Sequence, residues 1–295
     1  MSKESLSFWK YEGIGNDFIV VEREHVPAAL RSPQALGGLC DRHVGIGADG
    51  VLVLSHAPLR MSIVNADGSA AEMCGNGLRC AVLHWLLQHP DKLSASDNFI
   101  VETDAGPHRC RVLNARAGSA QVEVDMAPPI TELKRLPVDL DAWPEASERA
   151  NEGRLLDVPL SLEEHALRLS VVSLGNPHAV TFDVTSEALR GFLGPAVESH
   201  PAFVEGANVG FAHFREPNTL DLRVWERGAG WTLACGTGAC AAAVAAVLTD
   251  RAPVNTWLTL QLPGGALEVW VGATGAHVTM RGPARRVFDG RVGGA

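Results

Sequence analysis

The 295-residue chain carries 25 Lys and Arg against 34 Asp and Glu, a net charge of -9, and 46% of its residues are hydrophobic. This length buries a sizeable core and suggests two domains, and the acidic balance excludes a general nucleic-acid binder, which needs a basic face for phosphates. There is no apolar run of about 18 residues and no basic start followed by an apolar stretch, so the sequence predicts no membrane span, no signal peptide and a cytoplasmic protein.

In chain order, Leu6 to Tyr11 and Phe18 to Glu22 read as strands around the tight loop Gly13-Ile14-Gly15-Asn16-Asp17. Pro33 to His43 reads as a short helix with one apolar face. Gly45-Ile46-Gly47-Ala48-Asp49-Gly50 spells G-x-G-x-x-G, but the strand Val51 to Leu54 comes after it rather than before, so it is a loop and not a dinucleotide site. Arg60 to Val64 is a strand ending in Asn65-Ala66-Asp67-Gly68. Met73-Cys74-Gly75-Asn76-Gly77 then opens a helix to Gln88 that is apolar on almost every side and stopped by Pro90. Such a helix belongs inside a fold. Strands follow at Phe99 to Glu102, His108 to Leu113 and Ala120 to Asp125.

Met126 to Glu164, rich in proline and acidic residues and weak in periodicity, reads as the crossing between domains. Strands resume at Ala166 to Leu174 and Ala179 to Phe182, around Gly175-Asn176-Pro177-His178. A helix near Ser186 to Phe192 and strands Val209 to Phe214 and Leu220 to Trp225 come next. Glu226-Arg227-Gly228-Ala229-Gly230 leads to a second cysteine loop, Ala234-Cys235-Gly236-Thr237-Gly238, and an Ala-rich helix to Thr249. Trp257 to Leu262, Ala266 to Val271, Ala276 to Met280 and Arg285 to Phe288 complete the strands.

Landmarks of different kinds recur at a nearly constant spacing: Asn16 and Asn176 lie 160 residues apart, Asn65 and Glu226 161, Cys74 and Cys235 161, Gly106 and Gly265 159. That regularity implies an internal duplication. The expected fold is α+β: two pseudo-symmetric domains, each a curled, mainly antiparallel sheet or barrel around a central apolar helix. Residues 1–127, with 283–295 returning to them, form the first; residues 128–282 form the second. Two such domains face to face would aim both cysteine loops into one cleft.

The six cysteines include no Cys-x-x-Cys pair, and Cys40-x-x-His43 lacks a second half-site, so reduced thiols and no metal are expected. Cys80, Cys110 and Cys240 read as core. A thiolate at a helix start is favoured by the macrodipole. Two thiols, one ionised and one protonated, can remove and return a weakly acidic proton beside a carboxylate. The N–H groups at Gly75-Asn76 and Gly236-Thr237 could hold that carboxylate. Pyridoxal phosphate chemistry needs a lysine, and Lys3, Lys10, Lys92 and Lys134 lie in no suitable motif, so no cofactor is expected. A redox switch built on the two thiols is an alternative from another class.

Gly15-Asn16-Asp17-Phe18, Asn65-Ala66-Asp67-Gly68, Met73-Cys74-Gly75-Asn76-Gly77, Gly175-Asn176-Pro177-His178, Glu226-Arg227-Gly228-Ala229-Gly230 and Ala234-Cys235-Gly236-Thr237-Gly238 together resemble diaminopimelate epimerase, in order and across nearly the whole chain. The proline and hydroxyproline racemases are less similar, because they tend to carry His where Asn76 stands and Pro where Ala234 stands. The resemblance implies a cofactor-independent homodimer that interconverts LL- and meso-2,6-diaminopimelate in lysine and peptidoglycan precursor synthesis. By motif, Cys74 and Cys235 are the implied acid and base, and His178 and Glu226 the implied thiol-tuning groups. The resemblance also implies substrate contacts from Asn16, Asn65, Asn176, Asn208, Glu226 and Arg227.

Overall fold

A computed structural model describes residues 5–90, 98–149 and 153–293, so Lys3 and Lys92 lie outside the described residues. The chain divides into two compact units, Met1–Asp125 with Arg281–Ala295, and Met126–Met280.

The first unit runs β1 (Leu6–Gly13), β2 (Asn16–Glu22), α1 (Pro33–Gly38), β3 (Gly50–His56), β4 (Leu59–Asn65), β5 (Ala70–Ala71), α2 (Gly75–Gln88), β6 (Asn98–Thr103), β7 (Gly106–Arg116) and β8 (Ser119–Asp125). The turn between β1 and β2 is the two-residue loop Ile14-Gly15, with φ of 53° and 86°. Positive φ at both positions matches the twist of a tight hairpin and sets Asn16 opposite Gly13.

In the second unit come α3 (Pro144–Glu148), β9 (Val158–Leu162), β10 (His165–Ser173), β11 (Pro177–Thr181), α4 (Glu187–Glu198), β12 (Asn208–Glu216), β13 (Thr219–Glu226) and β14 (Gly230–Trp231). α5 (Gly236–Leu248), β15 (Trp257–Leu262) and β16 (Gly265–Val271) follow, and then the last strand, β17 (Val278–Val292).

Each sheet is mixed, with antiparallel pairs prevailing. The parallel pairs are β2 with β3, β4 with β6, β11 with β12, and β13 with β15. A parallel pair cannot be closed by a hairpin and needs a crossover. The segments carrying α1, α2, α4 and α5 are those crossovers. In the first unit the pairings run β1–β2–β3–β4–β6–β7–β8–β17 and back to β1, an eight-stranded barrel closed on itself.

α2 packs against β1, β2, β3, β6, β7 and β8, and α5 against β10, β11, β12, β13, β15 and β16. Enclosure on every side explains why neither helix shows a polar face. α5 meets it with Ala and Val alone along its middle turns, whereas α2 buries Arg79 and His84 with no exposure at all. Cys80, Cys110 and Cys240 are buried core residues.

Three expectations change. Met126 to Glu164 is not a crossing: Leu136, Trp143, Ala146, Leu155, Val158 and Leu160 from this stretch are core residues of the second unit. The Trp143 indole N–H donates to Pro159 O at 2.7 Å. Sparse apolar residues without a period still build a core when the turns between them aim each one inward. The expected pair of final strands is the single strand β17. The helix expected over Pro33 to His43 stops at Gly38, where Gly37 lies against the backbone of residues 65–68. A Cβ there would meet Gly68 N at 2.9 Å and Asn65 O at 3.1 Å.

Candidate active site

Cys74 and Cys235 are N-cap residues of α2 and α5, with extended φ/ψ of -144°/119° and -130°/105°. Each sulfur accepts from the backbone N–H three residues on, Gly77 N at 3.5 Å and Gly238 N at 3.3 Å. The capping spacing is that of a Ser or Asp N-cap, here filled by sulfur. It also explains the glycine three residues after each cysteine. A Cβ at Gly77 would lie 3.2 Å from Leu52 Cδ2, and one at Gly238 would lie 3.0 Å from Val224 Cγ2 and 3.1 Å from the Cys235 sulfur. Only glycine lets the helix start press against its strand and its capping thiol. The first-turn N–H groups of Gly75 and Asn76, and of Gly236 and Thr237, have no intrahelical acceptor, which is the donor pattern that suits an anion.

Around Cys74, Asn16 Oδ1 lies 3.8 Å from the sulfur and accepts from Asn76 Nδ2 at 3.0 Å. Asn16 is aimed from its other end, where Nδ2 donates to Asp49 Oδ2 at 2.7 Å. Asp49 is held in turn by Arg42 at 2.8 Å, and Arg42 also bridges to Asp17 at 2.7 Å. Burial tends to raise the Asp17 pKa, but hydrogen bonds from Arg42 and Lys10 outweigh it and keep the carboxyl ionised. Asn76 is fixed by Arg79, whose Nη2 donates to Asn76 Oδ1 at 2.8 Å while Nε donates to Pro283 O at 3.1 Å. Asn65 stands apart from this group, its Nδ2 donating to Ser69 Oγ at 2.9 Å within its own turn.

Cys235 is 5% exposed, and burial followed by the charge of Glu226 pushes its pKa well up, against smaller opposing bonds from Thr237 and Gly238. The Thr237 hydroxyl is 3.6 Å from its sulfur. Glu226 accepts from the Thr232 hydroxyl at 2.5 Å. Arg227 is held at its N–H by Asn208 Oδ1 at 3.0 Å and at Nη1 by Glu205 O at 2.7 Å. His178 sits beside Asn208 on paired strands, and its Nε2–H donates to Asn176 Oδ1 at 3.1 Å. Burial, then the charge of Arg227, lowers its pKa to about 3, so the ring is neutral and keeps a lone pair on Nδ1. That Nδ1 is buried and has no hydrogen-bond partner among the described residues.

Sequence reasoning missed three supporting residues. Asp49 lies in the glycine loop dismissed as a nucleotide motif, and its carboxylate is what orients Asn16. Arg79 was legible only as a charge inside an apolar helix, a signal that calls for buried partners. Glu198, at the end of α4, accepts from Trp225 Nε1 at 2.5 Å and Gly228 N at 2.7 Å, pinning the Glu226 to Gly230 turn from outside the motif.

The sequence profile of the diaminopimelate epimerase family matches residues 8–131 and 170–287. A diaminopimelate epimerase of Synechococcus sp. (strain JA-3-3Ab) is 43% identical over 293 residues, 97% of each chain. One from Cyanothece sp. is 41% identical over 291 residues, covering 97% of this chain and 99% of that one. Among solved structures, a hydroxyproline epimerase from Agrobacterium vitis, with bound trans-4-hydroxy-L-proline, superposes with a TM-score of 0.64 over 98% of this chain and 91% of its own. At 16% identity that likeness speaks for the fold alone.

Proposed function

The chain belongs to the diaminopimelate epimerase family, and on that premise we propose that Cys74 and Cys235 are the two groups that carry its reaction. The reaction interconverts stereoisomers of 2,6-diaminopimelate, LL and meso, and needs no cofactor in this reading. A thiolate takes the proton from the α-carbon, the electron pair spreads into the adjacent carboxylate, and the opposite thiol delivers a proton to the other face. The observation that carries the assignment is that both cysteines cap a buried helix in the same Cys-Gly-x-Gly frame. The first-turn N–H groups at Gly75, Asn76, Gly236 and Thr237 stabilise the charge that develops on the carboxylate.

With Cys235 held protonated by burial and by Glu226, it serves as the resting acid, and Cys74 takes the part of the base in that direction. Glu226 receives the Cys235 proton when the direction reverses. His178, whose ring is held neutral, is assigned from its motif to the tuning of the Cys74 thiol. Asn65, Asn176, Asn208 and Arg227 bind the distal amino acid end of the substrate, and Asn16 the reacting end. The Arg227 fork suits two-point recognition of a carboxylate, which a lysine cannot reproduce.

The enzyme is further read as a cytoplasmic homodimer. No helix among the described residues is long and apolar enough to cross a membrane. Val287 and Phe288 on β17 are 48% and 46% exposed, with Phe288 edge-on to Phe8, an apolar patch that suits a second copy. Incubating the reduced enzyme with LL-diaminopimelate in deuterated water tests the chemistry. Deuterium enters the α-carbon as the meso isomer accumulates, and no exchange with any diamino acid rejects it.

A further inference from the structure

We infer that Glu22, His56 and His84 form a binding site for a tetrahedral divalent metal, zinc above all, inside the first unit and apart from the reacting thiols. The three residues come from the end of β2, the end of β3 and the third turn of α2. His84 lies nine residues after Gly75, about 13 Å along the helix at ~1.5 Å per residue, so the site is at the other end of α2 from Cys74.

One donor atom from each of Glu22, His56 and His84 lies within 4.8 Å of the others. Each histidine nitrogen is 3.4 Å from the same carboxylate oxygen. Two ligands bound at ~2.0–2.1 Å to a tetrahedral zinc stand about 3.3 Å apart, so two edges of the ligand set already have the metal-bound spacing. As hydrogen bonds the same distances are long.

His56 gives the second, independent sign. Both of its ring nitrogens are shielded from solvent and have no hydrogen-bond partner among the described residues. Shielded ring nitrogens left without a hydrogen bond call for an occupant. His84 gives a third, because its Nδ1 lies 3.1 Å from the hydroxyl of Tyr11, which has no exposure. With Nδ1–H donating to the phenol oxygen, Nε2 keeps its lone pair for a metal, the outer-shell arrangement that orients histidine ligands. His25 Nδ1 meets the other Glu22 oxygen at 2.8 Å and holds the carboxylate in place. Three protein ligands leave a fourth position for water. A metal here would tie two strand ends to the buried helix they enclose.

The test uses the full-length enzyme stripped of metal with a chelator and titrated with zinc chloride, with bound metal counted after dialysis and cobalt(II) as the spectroscopic probe. The site predicts one zinc per chain, a raised Tm in its presence, and tetrahedral cobalt bands lacking a sulfur-to-metal transition. His56→Ala and Glu22→Gln, both at partly exposed positions, are expected to weaken zinc binding by at least about a hundredfold while isomerisation continues. Tyr11→Phe weakens it by about ten- to a hundredfold, a readout that a merely structural tyrosine would not move. Zinc affinity unchanged in His56→Ala and Glu22→Gln, the absence of binding tighter than about millimolar, or a cobalt spectrum with a thiolate band would each overturn the proposal. The last would put the metal on the cysteines.

Discussion

Cys74 and Cys235 share an N-cap conformation and the same sulfur contact to a glycine N–H three residues on, yet their polar surroundings differ. Cys74 is half-buried, with the uncharged Asn16 amide beside it and the Arg79 guanidinium one hydrogen bond behind that amide's partner, Asn76. Cys235 is buried, and the largest charge effect on it comes from the Glu226 carboxylate. The backbone thus gives two equivalent mounts, and in the proposed mechanism the side chains around each decide which thiol gives a proton and which takes one. The proposed two-base chemistry needs the pair to be asymmetric in protonation, and the Arg79 cation on Asn76 and the Glu226 anion by Cys235 suit that need.

Removing either sulfur breaks the comparison most completely. Cys74→Ser and Cys235→Ser should each lower kcat by about 10²–10⁴ with unfolding behaviour preserved, because serine caps a helix but is a far weaker acid or base. A near-normal rate in either variant would remove that residue from the mechanism.

Glu226→Gln should cost roughly a hundredfold in kcat and, more tellingly, make Cys235 react with an alkylating agent at lower pH. Burial still holds its pKa up, but the carboxylate that raises it further is gone. An alkylation profile that stays put would detach Glu226 from Cys235.

Smaller again is the effect expected on the other side. Arg79→Met and Asp49→Ala remove the two groups that orient Asn76 and Asn16, and each should lower kcat by about tenfold while leaving Cys235 reactivity untouched. Arg79 carries the greater stability loss, since its partners are left unsatisfied in the core.

The glycines sharpen the comparison sterically. Gly238→Ala should destabilise by about 1–3 kcal/mol and Gly77→Ala by less, measured by denaturant unfolding, because the Gly238 contacts at 3.0 and 3.1 Å are the tighter. The reverse order would mean that α2 yields less readily than α5.

His178 supplies the pH-dependent member of the series. Its folded pKa of about 3 lies below the ordinary 6.5, so the unfolded chain binds a proton first as pH falls. Its share of stability is intact above pH 6.5 and declines toward pH 3, about tenfold in the folding constant per unit. His178→Gln should flatten that acid limb.

The apolar helices, the paired cysteine grammar and most strands were readable because each rests on local pattern: period, capping residue, glycine where φ must be positive. Residues 126–164 were misread as a crossing for the complementary reason. Trp143, Leu155 and Val158 enter the core singly, between prolines and acids, and no periodicity announces them. Likewise Asp49, Glu198 and Arg79 act on residues far from them in sequence or through burial, and no spacing rule links Asp49 to Asn16 or Glu198 to Trp225.

The sequence alone determined the chemistry available: two helix-capping thiols, their glycines and the polar residues of the recurring motifs, all set by nearest-neighbour geometry along the chain. The tertiary structure decided how that chemistry is tuned, because desolvation and charge depend on what distant segments bring alongside. It turned a glycine loop into a brace for Asn16, buried Cys235 beside a carboxylate, and gathered Glu22, His56 and His84 from three separate elements into one cluster.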